Sequence, residues 1–186
     1  MRNDGPRWNE RYATTTRVEP RAPEAIDRWP EITSLLPSSG RCLDLASGPG
    51  AVTLWLAQRC LDVVALDVST VAVDLLESAA RATGVADCVD ARTIDLDDGL
   101  PDDLWDLDLI VCQRFRDPAL YPTMIDRLRG GGLTIVTVLS RVGSTDPGPF
   151  HAPAGELDHT FDADERCTIL HHEEAAGLCH LVARRR

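Results

Sequence analysis

The sequence contains no lysine, and all nineteen of its basic residues are arginine. That absence excludes Schiff-base catalysis through a lysine amine and the phosphate-binding loop that depends on a lysine. No C-x-x-C pair occurs among the six cysteines, Cys42, Cys60, Cys88, Cys112, Cys167 and Cys179, and most of them stand inside apolar runs. They read as small buried hydrophobes in a reducing compartment, not as a disulfide or zinc framework. No apolar run approaches the roughly 18 residues of a membrane span. The first residues, MRNDGPRWNERY, also lack the apolar core of a secretory leader. The expected address is the cytoplasm, with no membrane partner. Internal repeats and low-complexity tracts are missing too.

What is present is the composition of one ordinary globular domain. The chain has 186 residues, 44% of them hydrophobic and 26% charged, inside the usual span of about 100–200 residues per domain. Thirty acidic against nineteen basic residues give a net charge of −11. Such a surface repels phosphate backbones, so no nucleic-acid partner is expected.

Along the chain, residues 1–21 are rich in arginine, proline and threonine and read as a poorly packed arm. Trp8 and Tyr12 stand four apart, so one helical turn would place both rings on one face. They either staple the arm to the domain or fold over a ligand. Pro23–Leu36 reads as a helix interrupted at Pro30. From there strands and helices alternate. Arg41–Ala46 is a strand, Ala51–Cys60 a helix, and Asp62–Asp67 a β-branched strand. Ser69 caps a helix that runs to about Ala82 and is stopped by Gly84. Strands follow at Cys88–Ile94 and Leu107–Cys112, then a helix over Pro118–Arg129 with Pro122 in its first turn. Gly130–Gly132 turn the chain into the strand Leu133–Leu139. This alternation predicts an α/β fold with a parallel, doubly wound sheet. Arg166–His172 and Leu178–Ala183, joined through Glu173–Gly177, predict an antiparallel hairpin at its end.

In open α/β sheets the ligand lies beyond the carboxyl ends of the strands. That position here is the run from Asp44 to Gly50 (DLASGPG), with Asp67 following nineteen residues after Gly48 at the end of the second strand. A carboxylate there accepts hydrogen bonds from both ribose hydroxyls. The turn is poorly built for a dinucleotide, however. The third glycine of G-x-G-x-x-G would fall at residue 53, which is Thr53, and Pro49 removes an N–H donor. Asp44 adds a negative charge beside the loop. A nucleoside ligand with a cationic amino group and no phosphate suits it better, and S-adenosylmethionine has both properties.

These stretches resemble the class I S-adenosylmethionine-dependent methyltransferases, and the likeness runs from the first strand to the last. LDLASGPGAVTLWLA is similar to motif I, VVALDVS to motif II, and LRGGGLTIVTVL to the entry of strand five. Trp8–Tyr12 (WNERY) and Phe150–Leu157 (FHAPAGEL) are similar to the small bacterial type related to the tellurite-resistance methyltransferase. The resemblance implies a single seven-stranded Rossmann-like sheet of order 3-2-1-4-5-7-6. It also implies an arm and helix over residues 1–36 that cover the cofactor site, and a core domain over 37–186. By the same likeness, Asp44, Ala46, Ser47, Gly48 and Gly50 meet the methionine end of the cofactor. Asp67 takes the ribose, Val68 lies on the adenine face, Asp95 and Leu96 sit at the adenine edge, and Gln113 lines the donor-methyl side. Trp8 and Tyr12 close the site. Ala46 departs from the first motif glycine and Gly130 from a common proline. Gln113–Asp117 (QRFRD) lacks the leucine-histidine-arginine pattern of the closest relatives.

Other features have plainer readings. The seven aspartates between Asp95 and Asp108 lack the closing glutamate of a calcium loop and read as a solvated loop. The histidines His151, His159, His171, His172 and His180 show no metal-ligand spacing, so no metal is expected. His151 and Glu156 are the candidate acid–base groups, and Arg114, with Arg116, is a candidate for holding an anionic substrate. The expected function is methyl transfer from S-adenosylmethionine to a small molecule, since the core sheet consumes nearly the whole chain. The alternatives are a non-catalytic S-adenosylmethionine-binding protein and a nicotinamide-dependent oxidoreductase. The acceptor and the oligomeric state are left open.

Overall fold

The computed structural model describes residues 4–186. Seven strands form one sheet of order β3-β2-β1-β4-β5-β7-β6, as the resemblance implies. The chain packs as two compact units. The first comprises residues up to Ala22 together with Pro37–Asp102, and the second Pro23–Leu36 with Asp103–Arg186.

In the first unit β1 (Gly40–Leu45), β2 (Leu61–Asp67) and β3 (Val89–Thr93) run parallel. The apolar residues of β1 and β2 are buried on both faces, the mark of a parallel sheet covered by helices. Helix α3 (Ala51–Ala57) leaves the loop after β1. Helix α4 (Thr70–Thr83) begins at Ser69, whose hydroxyl accepts the Ala72 amide at 3.1 Å, and ends at the left-handed Gly84. Both caps follow the sequence. Leu54, Ala65, Leu76 and Ala80 form a core between α3, β2 and α4. The arm differs from expectation. Gly5–Tyr12 is an ordered helix, α1, with proline in its first turn, and it packs on α4.

In the second unit β4 (Leu107–Gln113) runs parallel to β5 (Leu128–Leu139). β7 (Leu178–Arg185) lies antiparallel to β5 on one side and to β6 (Cys167–Ala175) on the other. Pro23–Leu36 becomes α2 (Glu24–Arg28) and a 3-10 helix over Pro30–Leu35, broken at Pro30 as expected. Helix α5 spans Leu120–Arg127. Two further sequence readings need correction. Gly130–Gly132 do not form a turn before β5 but lie within it, because Leu128 already pairs with Leu107 across an irregular register. The hairpin connection is not Glu173–Gly177. β6 continues to Ala175, and Ala176 and Gly177 (φ 52° and 82°) make the tight turn, whose twist matches the flanking strands. Helix α6 (Glu156–Asp162) was not anticipated; it buries Leu157 and Phe161, the latter against Tyr121. Cys42, Cys112, Cys167 and Cys179 are buried as expected, whereas Cys60 is exposed. Among the described residues no helix is long and apolar enough to cross a membrane.

Candidate functional site

Parallel register brings the carboxyl ends of β1 and β2 to one edge of the first unit, with Asp44 beside Ala65 and Leu45 beside Leu66. The loop after β1 folds back at once, the Ser47 amide donating to the Leu66 carbonyl at 3.0 Å. Asp67 closes this edge and is 5% exposed. Its Oδ2 accepts the Gly48 amide at 2.7 Å, and its Oδ1 accepts the Ser69 amide at 2.8 Å. Burial raises the pKa of this carboxyl and the backbone amides act against it. Each oxygen has a second lone pair. Two vicinal hydroxyls therefore match it, one per oxygen.

Asp44 is 1% exposed and accepts the Thr53 hydroxyl at 2.6 Å. Burial pushes its pKa up to about 7, with the Asp67 carboxylate adding to the rise and Thr53 opposing it. Thr53 thus stands where a dinucleotide loop would have glycine because its hydroxyl holds a buried acid. Sequence reasoning marked Thr53 as a departure and missed this role. The nine-residue step from the end of β1 to the first turn of α3 was the available signal.

Ala46, Gly48 and Gly50 all have left-handed φ, at 51°, 54° and 89°. An alanine in that region costs about 1–2 kcal/mol, so Ala46 keeps the backbone path of a glycine under strain. The two glycines differ in purpose. A Cβ on Gly50 would lie 2.2 Å from Leu76 Cδ1, so this glycine allows the close approach of α4. A Cβ on Gly48 would lie 2.9 Å from the Tyr12 hydroxyl.

Tyr12 is there because α1 lies over the loop. Trp8 and Tyr12 stack with ring centroids 5.8 Å apart and planes 22° from parallel, as their spacing predicts. Asn9, which sequence reasoning missed, accepts the Ser69 hydroxyl at 2.7 Å and the Val71 amide at 3.3 Å, docking α1 on the start of α4. A Cβ on Gly5 would lie 3.3 Å from the Val68 carbonyl oxygen. Burial, reinforced by the Asp67 carboxylate, pushes the Tyr12 hydroxyl up to about 12, so it is a neutral donor at physiological pH. Asp95 Oδ1 accepts the Asp97 amide and caps a short 3-10 turn that buries Leu96. Asp44, Ala46, Ser47, Gly48, Gly50, Asp67, Val68, Trp8, Tyr12, Asp95 and Leu96 thus all belong to the first unit.

The remaining candidates belong to the second unit, where most hold local partners. Gln113 Oε1 accepts the Glu24 amide at 3.0 Å and so caps α2. Arg114 donates Nε to Glu24 at 2.7 Å and Nη2 to the same carboxylate at 3.3 Å. Arg116 forms the same two-pronged pair with Glu156, Nε to Oε1 at 2.7 Å and Nη2 to Oε2. That carboxylate side chain is only 14% exposed. His151 Nδ1 accepts the Gly148 amide at 2.9 Å, which fixes its loop.

The donor set of the first unit fits S-adenosylmethionine. Asp67 offers two acceptors for a ribose, and buried Asp44 complements a cationic amino acid end. The chain supplies no lysine for a phosphate, and Pro49 interrupts the row of amides such a group needs.

Residues 42–132 match the family described as Methyltransferase domain. Uncharacterized methyltransferases of Mycobacterium tuberculosis and Mycobacterium bovis are 40% identical over 114 residues, which cover 59% of this chain and 42% of each relative. The chain thus spans less than half the length of the curated relatives it matches. Among solved structures, TehB from Haemophilus influenzae superposes with a TM-score of 0.71 at 17% identity, covering 98% of this chain and 67% of that one. An S-adenosylmethionine-dependent methyltransferase from Mesorhizobium loti gives 0.65 at 20% identity, with 87% and 99% coverage. The [4+2]-cyclase SpnF gives 0.71 at 18% identity, with 98% and 92% coverage, so the fold also carries other chemistry. With its matched domain, its sheet order and these relatives, the chain is similar to methyltransferases and carries the fold of the S-adenosylmethionine-dependent enzymes among them.

Proposed function

We propose that this protein transfers a methyl group from S-adenosylmethionine to a small-molecule acceptor, in a cytoplasm and without a nucleic-acid partner. The observation that carries the reading is the Asp67 carboxylate, fixed by the Gly48 and Ser69 amides beside the buried acid Asp44. The cofactor supplies an already activated methyl group, so the protein's part is alignment and exclusion of water. Asp67 orients the ribose, Asp44 faces the cationic end, and α1 with Trp8 and Tyr12 covers the glycine turn against solvent. A general base is needed only when the acceptor carries a proton at neutral pH. Of the acid–base candidates, Glu156 is engaged with Arg116, which leaves His151 for that part. The charge of −11 supports a small acceptor over tRNA or DNA.

A non-catalytic S-adenosylmethionine-binding role is the second reading. It is favoured by the engagement of Arg114 and Glu156 in ion pairs. One experiment separates the two. The purified chain is assayed for thermal stabilisation by S-adenosylhomocysteine, and then for transfer of labelled methyl to small nucleophiles, oxyanions of the tellurite type included. Stabilisation with turnover is expected. Stabilisation without turnover on any small acceptor would favour the binding role, and efficient methylation of a nucleic acid would refute the proposed acceptor class.

A further inference from the structure

The β6–β7 hairpin carries a cluster that the spacing of its residues in sequence conceals. His172 and Glu174 alternate on β6 and so leave the same face, and Glu174 pairs with Cys179 across the antiparallel ladder. One donor atom from each of the three side chains lies within 4.8 Å of the other two. Cys179 Sγ and His172 Nε2 are 3.5 Å apart. Tetrahedral bonds of about 2.0–2.3 Å put neighbouring donors about 3.3–3.8 Å apart, so a small contraction closes this set on an ion. The neighbouring side chains turn to the opposite face. There Trp29 lies 5.2 Å from the His171 ring and 6.2 Å from the His180 ring, and Arg28 pairs with Glu173.

We infer that His172, Glu174 and Cys179 bind a divalent cation of the zinc class, which clips β6 to β7. One imidazole, one carboxylate and one sulfur form a mixed set that suits a borderline-soft ion and not calcium or magnesium. The outer groups are arranged for this. Glu174 is held from both sides, Oε1 accepting the Ser140 hydroxyl at 2.5 Å and Oε2 the Gly155 amide at 2.8 Å, and each oxygen keeps a lone pair. His172 directs Nε2 at the sulfur, while its Nδ1 faces Asp158 Oδ1 at 3.7 Å, outside hydrogen-bond distance but near enough that a small rotation of this exposed carboxylate would give the pair that orients metal-bound imidazoles. Cys179 is 2% exposed. The His172 and Asp158 side chains are 26% and 52% exposed and offer the route in. On binding, the Cys179 thiol gives one proton to solvent and its sulfur takes the ion. The site lies wholly in the second unit and does not depend on the proposed methyl transfer.

The test uses the whole chain, stripped with a chelator and titrated with zinc chloride by calorimetry and with cobalt(II) by absorption. One ion per chain is expected, with a thiolate-to-cobalt charge-transfer band. Cys179→Ser should abolish the band and weaken zinc at least about tenfold, with the native circular dichroism retained. Asp158→Asn alters an exposed side chain and should weaken zinc by about tenfold. Cys60→Ser, which removes the exposed thiol, should change nothing. Zinc bound well below one per chain, a band that persists in Cys179→Ser, or affinity unchanged in both Asp158→Asn and a folded His172→Ala would overturn the assignment.

Discussion

Asp44 gives the sharpest link between burial and function. In the unfolded chain its carboxyl titrates near 3.8, and in the folded protein near 7. The folded state therefore holds the proton more tightly, and stability from this group is complete below about pH 4 and is lost as pH rises towards 7. At about 1.4 kcal/mol per tenfold change, the loss is about 4 kcal/mol. Asp44→Asn removes the titration but keeps the shape and a hydrogen-bond acceptor for Thr53. The measurement is urea unfolding of both proteins from pH 4 to pH 8, taken as a difference so that other titrating groups cancel. The variant should be close to the wild type, or slightly less stable, at pH 4. It should gain by about 4 kcal/mol relative to the wild type at pH 8, because the bond from Thr53 to the charged carboxylate is already counted in the folded-state pKa. Under the proposed function the same variant should lose at least tenfold in affinity for S-adenosylhomocysteine, because the charge that burdens the free protein is the one that faces the ligand's ammonium group. A stability difference that stays flat across this range would refute the reasoning.

Asp67→Ala should weaken S-adenosylhomocysteine binding by roughly 1–3 kcal/mol, measured by calorimetry; full affinity in a folded variant would place the ribose elsewhere. Deleting residues 1–12 removes α1 and Tyr12 from the glycine turn, so turnover and cofactor affinity should fall together while circular dichroism of the core is kept. Full activity in the truncated protein would count against a covering role. Gly50→Ala should destabilise the fold by about 2 kcal/mol or more, because φ is 89° and the new Cβ would overlap Leu76. Thermal unfolding reads this directly, and a neutral result would show that α4 can retreat at no cost.

Much of this architecture was legible because it is written in local patterns. The β-branched run at β2, the Ser69 cap, the Gly84 stop and the break at Pro30 each act over a few residues. The two acids of the site were legible for the same reason, standing at the ends of adjacent parallel strands beside a glycine turn. Helix α6 was not, since it is short, has only Leu157 and Phe161 as an apolar stripe, and follows a loop rich in glycine and proline. The arm read as unpacked because its order comes from Asn9 docking on residues about sixty positions away. Which side chains share a partner was decided only by the tertiary structure. Arg114 meets Glu24 ninety residues distant, and Thr53 meets Asp44 because α3 returns over β1. Cys179 faces Glu174 and His172 because the tight turn at Ala176 and Gly177 sets the hairpin register. A shift of one residue there would send those side chains to the opposite face, and nothing in the local sequence pattern records that choice.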